Sequence, residues 1–176
     1  MQQDNNGANQ LQQQQDDWQP PPIGKYKCNV DAGIHADVGK TSAGWCVRNH
    51  RGHFVLGGSS WINGRCSSLE GEALALLEAM KVLRQRGFTN VTFETDAYNV
   101  VCAIRRRVNG VSEFSSIINN IKCLLSLNTG FEVKPIRRQA NRIAHTIARA
   151  ALSWSRHHIF ELLPYCIHNL LYNEMI

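Results

Sequence analysis

From residue 25 onward, apolar and polar side chains first alternate in short runs and then recur every three or four positions. Tyr26-Lys27-Cys28-Asn29-Val30-Asp31 has a period of two and meets Ala32-Gly33, which predicts a strand ending at a turn with Asp31 at its end. Ser42 to Val47 and His53 to Ser60 predict two more strands, joined by the turn Asn49-His50-Arg51-Gly52. Ser67-Ser68-Leu69-Glu70 has capping-box spacing, and Leu69, Ala73, Leu76, Leu77, Met80 and Leu83 form the stripe of a helix that Gly87 ends. Asn90 to Thr95 predicts a short strand, after which Asp96 is placed to cap a helix reaching Arg107. Ser112 to Leu127 predicts a helix stopped by Gly130, and Phe131 to Ile136 a last strand, whose Pro135 marks a sheet edge or a strand end. Ala140 to Trp154 predicts a final helix with Ile143, Ile147, Ala151 and Trp154 on one side. This order of strands and helices fits an α/β sheet with helices packed on its faces.

Two segments stand outside that pattern. Residues 1 to 24 are rich in Gln and Asn, end in Pro20-Pro21-Pro22, and lack the apolar groups that would offset the entropy of ordering, so a disordered tail is expected. Residues 156–176 carry enough apolar side chains to dock on the domain that spans residues 25–155. At 176 residues the chain has room for one domain with a substantial core. Its formal charge of +5 favours an anionic partner without choosing between nucleic acid and a membrane surface. The six cysteines form no Cys-x-x-Cys pair, which fits reduced thiols. With no secretion signal and no apolar run long enough to span a bilayer, the expectation is an intracellular, nuclear or cytoplasmic monomer that binds no membrane.

The informative side chains are acidic. At about 100° per residue, Glu72 lies beside Leu76 and Leu83 on the apolar side of its helix, where a carboxylate needs a partner. Glu70 has its capping role and Glu78 falls on the opposite, solvent side. Taken singly, Asp31 could form an Asx turn, Glu72 could reach water at the rim of its stripe, and Asp96 could merely cap a helix. Together they place three carboxylates at a strand end, early in a helix and after a second strand, in an α/β sheet whose strand ends gather functional groups. Carboxylates brought together repel one another and become tolerable when a divalent cation shares them, Mg²⁺ being the hard-ligand expectation.

Four segments carry a resemblance: Cys28-Asn29-Val30-Asp31-Ala32-Gly33, Ser67 through Ala79 around Gly71-Glu72-Ala73, Phe93-Glu94-Thr95-Asp96-Ala97, and Arg138-Gln139-Ala140-Asn141-Arg142-Ile143-Ala144-His145. In order and setting they resemble the type 1 ribonuclease H family, nearest its plant-type, retroelement-derived domains, over about Lys25 to Trp154. The resemblance implies a mixed five-stranded sheet of order 3-2-1-4-5 with helices on both faces. It implies that Asp31, Glu72 and Asp96 are metal-binding and catalytic carboxylates, with Asp31 bridging two Mg²⁺ ions, Mn²⁺ being an alternative. It further implies that Ser68, Arg138 and Asn141 lie against an RNA:DNA hybrid. Two ions about 3.5–4 Å apart would then activate water and stabilise the leaving 3′ oxygen, with no nucleophilic side chain required.

The chain departs from the family pattern at one position. A fourth aspartate is due where Asn141-Arg142-Ile143-Ala144-His145 ends, and His145 stands there instead. His145 is a substitute ligand, a proton shuttle, a relic of lost activity or a plain surface histidine; imidazole suits zinc or manganese better than magnesium. Two functions therefore stay open: hydrolysis of the RNA strand of a hybrid, with His145 among the catalytic residues, and non-catalytic binding of hybrid or other nucleic acid with one metal site degraded. Arg105-Arg106-Arg107 and Arg137-Arg138 with Arg142 are basic runs able to hold phosphates, although the first also suits a helix C-terminus. Trp45 and Trp61 are expected to pack on the sheet.

Overall fold

A computed structural model describes residues 17–106 and 110–174. The chain runs β1 (Tyr26–His35), β2 (Lys40–Arg48), β3 (Phe54–Asn63), α1 (Ser68–Gln85), β4 (Val91–Thr95), α2 (Tyr98–Arg105), α3 (Glu113–Leu127), β5 (Phe131–Pro135), α4 (Arg142–Ala150), β6 (His157–Phe160) and α5 (His168–Glu174). Short 3₁₀ turns occupy Arg138–Asn141, Ala151–Ser153 and Tyr165–Ile167. The strands form one mixed sheet ordered β5-β4-β1-β2-β3-β6. The first five strands thus have the order that the resemblance implies, and the five-stranded expectation is corrected by a sixth strand: β6 pairs antiparallel with β3 from Gly57↔Phe160 to Ser60↔His157. Pro135 sits at the end of β5, and β5 is a sheet edge, where a missing N–H is harmless.

Apolar side chains sort to the two faces by the period of two. Cys28 and Val30 of β1 with Trp45 and Val47 of β2 meet Leu76, Met80 and Leu83 of α1 and Ile118 and Ile121 of α3 in the larger core. On the opposite face Cys46 meets Ile143 and Ile147 of α4, Phe160 of β6, Ile167 and Leu171. Trp45 is fully buried, while Trp61 is half-buried, with Lys40 Nζ 3.7 Å from its ring centroid. All six cysteines are free, and burial pushes the Cys46 thiol up to about 12. Among the described residues, no helix is long and apolar enough to cross a membrane.

Local chemistry sets the element ends. Ser67 accepts from Glu70 N while Glu70 accepts from Ser67 N, so the predicted capping box starts α1. Three expectations are corrected. Strand β1 does not stop after Asp31 but continues to His35, opposite Lys40, so Asp31 lies inside the strand. Ala32-Gly33 is therefore no turn: a Cβ on Gly33 would fall 2.4 Å from Ser42 Oγ and 3.2 Å from the Ala148 carbonyl, and glycine lets the strand pass beneath α4. Asp96 does not cap α2, whose N-cap is Ala97; Thr95 Oγ1 accepts from Ala97 N instead, and α2 is shorter than expected. Finally, α4 proper ends at Ala150, where a 3₁₀ turn takes over.

The tail expectation is corrected at its last eight residues. Trp18 is only 6% exposed, and Lys25 N donates to the Pro22 carbonyl. One aromatic ring supplies the burial that the rest of the tail lacks. Residues 1–16 lie outside the described residues.

Gly44, paired with Asp31 across β1 and β2, is the seat of α4. A Cβ there would lie 2.2 Å from Ala148 N and 2.8 Å from the Ala144 carbonyl oxygen, both backbone atoms that cannot swing aside. Gly44→Ala is therefore expected to destabilise the fold by about 3 kcal/mol, the upper end of overpacking costs, read as a lower urea midpoint at unchanged m-value.

Candidate metal centre

The parallel register Asn29↔Glu94 between β1 and β4, extended by two residues, brings Asp96 level with Asp31. Helix α1 delivers Glu72 from its first turns to the same point. One carboxylate oxygen from each of Asp31, Glu72 and Asp96 lies within 4.8 Å of the others. The three acids that the sequence singled out are thus brought together.

Burial and mutual repulsion dominate their electrostatics. Burial first, then the charges of Asp31 and Asp96, push the Glu72 carboxyl up to about 9. Asp31 is also raised, by burial and by Asp96, against the lowering effect of its hydrogen bond with His145. Glu72 Oε2 is buried and has no hydrogen-bond partner among the described residues. An orphaned carboxylate oxygen beside two further carboxylates fits a divalent cation, and an all-oxygen donor set suits Mg²⁺ or Mn²⁺.

A pH dependence follows from these shifts. A carboxyl whose pKa is higher folded than unfolded stabilises the fold below the unfolded value, and that stability is lost as pH rises through the folded value. For Glu72 the window runs from the ordinary carboxylate range up to about 9. The melting temperature of metal-free protein is expected to fall between pH 5 and about 9 and to fall less in Glu72→Gln. The increase in melting temperature on adding Mn²⁺ should grow over the same interval, because the cation displaces protons. Scanning calorimetry at stepped pH checks both.

His145, in the second turn of α4, faces the centre: its Nδ1 lies 2.7 Å from Asp31 Oδ2, with 34% of its side chain exposed against 6% for Asp31. The plain surface reading of His145 is corrected. Ser68 and Arg138, both exposed, line the cleft of about 420 Å³ over the carboxylates. Asn141 does not reach that cleft. It is 1% exposed, and its Nδ2 donates to Asp96 Oδ1 at 3.1 Å and to the Val30 carbonyl at 2.9 Å. It is a support for Asp96 and not a surface for substrate, because both halves of its amide are engaged inside; Asn29 Nδ2 donates to its Oδ1 at 3.4 Å.

Sequence reasoning missed several neighbours. Arg149 lines the same cleft, one helical turn beyond His145, and i,i+4 spacing could have found it. Asn29 shares a strand face with Asp31 by the period of two. Glu78, expected in solvent, is half-buried and accepts from Ser60 Oγ at 2.5 Å, because α1 packs along β3. Of the basic runs, Arg138 alone lines the cleft; Arg105 and Arg106 are exposed elsewhere, and Arg107 lies outside the described residues.

Behind the centre sits a buried polar network. Arg48, 1% exposed, donates to Asn29 Oδ1 at 2.8 Å and to Glu174 Oε2 at 2.5 Å, and its guanidinium carbon lies 3.3 Å from the Trp18 ring centroid. Trp18 Nε1 and Asn29 Nδ2 both donate to Glu94 Oε2, at 3.0 and 3.2 Å, and Lys27 Nζ pairs with Glu94 Oε1 at 2.7 Å. Through Asn29 and Asn141 the network reaches Asp96.

Comparison with known proteins fits this architecture. RNase H1 from the halophilic archaeon Halobacterium salinarum superposes with a TM-score of 0.66 at 21% identity, over 74% of this chain and 98% of that one. LC11-RNase H1, solved in complex with an RNA/DNA hybrid, gives 0.64 at 18% identity, over 73% and 97%. The N-terminal RNase H domain of a Mycobacterium tuberculosis protein gives 0.60 at 18%, over 73% and 96%. At these identities the likeness is one of fold. No curated protein gives a significant match. A family model described as reverse transcriptase-like matches residues 29–151, which include all three converging carboxylates and His145. The chain belongs to the reverse transcriptase-like family and has the type 1 ribonuclease H fold.

Proposed function

We propose that the chain is a divalent-cation-dependent ribonuclease that hydrolyses the RNA strand of RNA:DNA hybrids. The observation that carries this reading is the convergence of Asp31, Glu72 and Asp96, with a buried Glu72 Oε2 that has no hydrogen-bond partner among the described residues. Asp31, Glu72 and Asp96 would hold the cation, which when bound supplies a Lewis acid for the scissile phosphate and its attacking water. Asn141 fixes the Asp96 carboxylate, and His145 fixes that of Asp31. The Ser68 hydroxyl is a short polar group suited to a ribose 2′-OH, the feature that separates RNA from DNA. Arg138 and Arg149, at the cleft wall, suit phosphate oxygens.

The direct test is incubation of the purified protein with labelled hybrid and with duplex DNA, in Mg²⁺ and in Mn²⁺. Cleavage confined to the RNA strand, and lost in Asp31→Asn, is the expected result; an inert but folded protein in both ions would defeat the enzyme reading. A second reading, hybrid binding without cleavage, is favoured by the hold of His145 on Asp31. It predicts an inert wild type that gains cleavage in His145→Asp.

A further inference from the structure

The side chains around Asp31 bear on how many cations the centre takes. Asp31 has two oxygens, and Oδ2 is 2.7 Å from His145 Nδ1 within a side chain only 6% exposed, so it is not free to turn. One Asp31 oxygen joins Glu72 and Asp96 in the group within 4.8 Å. Among the described residues, the cleft wall offers no further converging carboxylate. Its one other acid among the described residues, Asp37, sits exposed in the turn between β1 and β2 and outside that group. His35 is already engaged, its Nε2 2.9 Å from Ser42 Oγ. The cleft wall also carries Arg138 and Arg149, which bring positive charge of their own.

We infer that this centre holds a single divalent cation, in the Asp31, Glu72 and Asp96 group, and that the imidazole of His145 closes the position a second cation would take beside Asp31. The inference rests on the reading of the three acids as a cation site. Three carboxylates match one divalent ion, and a second ion beside Asp31 would meet the imidazole of His145 in place of a fourth carboxylate. Arg138 and Arg149 then supply on the phosphate the positive charge that a second ion would otherwise bring.

The test counts ions. Calorimetric titration of the full chain with Mn²⁺, alone and with a hybrid made uncleavable by 2′-deoxy substitution at the target step, is expected to give one site in both cases. His145→Asp, with a fourth carboxylate, is expected to give two with the hybrid present. Electron paramagnetic resonance of the wild type provides a check that needs no variant: it should show the hyperfine pattern of isolated Mn²⁺. The coupled spectrum of two ions about 3.5–4 Å apart would overturn the inference. Two sites in the wild type would overturn it equally, and one site in both proteins would remove His145 as the cause. No binding by folded wild type in either titration would defeat the cation-site reading itself and leave the ion count without a subject.

Discussion

Asp31→Asn is expected to lower the rate of hybrid cleavage by on the order of 10³-fold while raising the melting temperature of the metal-free protein. Asparagine keeps the volume and one oxygen of aspartate, so the 4% exposed position in β1 is refilled without a cavity. What it removes is one of three carboxyl groups with oxygens held within 4.8 Å of one another. Loss of one group that stabilises charge at the reacting centre costs on the order of 10²–10³-fold in turnover, and a carboxylate that also holds the cation belongs at the upper end. Without the Asp31 charge, Glu72 loses the larger of the two Coulombic effects that raise its pKa. The metal-free protein should then melt about 2–4 °C higher at pH 8, the shift that roughly 1 kcal/mol produces in a chain of this size. Activity and stability moving in opposite directions would separate a functional acid from a folding residue; a fall in both would show that Asp31 serves the fold. Single-turnover cleavage assays and calorimetry supply the two readouts.

A loss of stability of similar size to that of Gly44→Ala is expected at the far end of the chain. Glu174→Ala removes the only anion paired with Arg48 among the described residues, leaving a guanidinium at 1% exposure with its Nε already lacking a partner. Breaking a buried ion pair on one side costs about 3–5 kcal/mol, and the 18% exposure of the Glu174 side chain places this case near 3. A fall in melting temperature of about 6–12 °C corresponds to that. The double variant Arg48→Met with Glu174→Leu should recover much of the loss, because apolar side chains of similar volume replace the pair without an uncompensated charge. If Glu174→Ala melts like the wild type, the contact contributes nothing and Arg48 is served by Trp18 and Asn29 alone.

The legible part of this structure is the part with local signals. The capping box at Ser67, the stripe of α1 and the Asn49 to Gly52 turn each depend on residues a few positions apart, and each forms as predicted. Glu72 was legible because a carboxylate on an apolar stripe conflicts with its own helix. The length of β1 was not, because Ala32-Gly33 has turn composition and its strand conformation is set by α4, more than a hundred residues later. Arg48 reads as an ordinary polar strand position, and its partners are 19 and 126 residues away. Trp18 stands alone in a polar tract with no period to reveal its burial. The Nδ1 contact of His145 with Asp31 joins residues 114 apart and needed coordinates.

Arg48 receives Trp18 from before the family-matched region and Glu174 from after it. A fragment trimmed to residues 29–151 would keep every acid of the cleft yet uncover Arg48 and the apolar face of Cys46, Ile143 and Ile147 that Phe160, Ile167 and Leu171 cover, and should express as a sticky, poorly soluble body. Because residues 18 and 174 meet at one side chain, the polypeptide enters and leaves the domain at nearly the same place. Residues 17–174 could thus be spliced into a surface loop of a host protein without forcing the two apart.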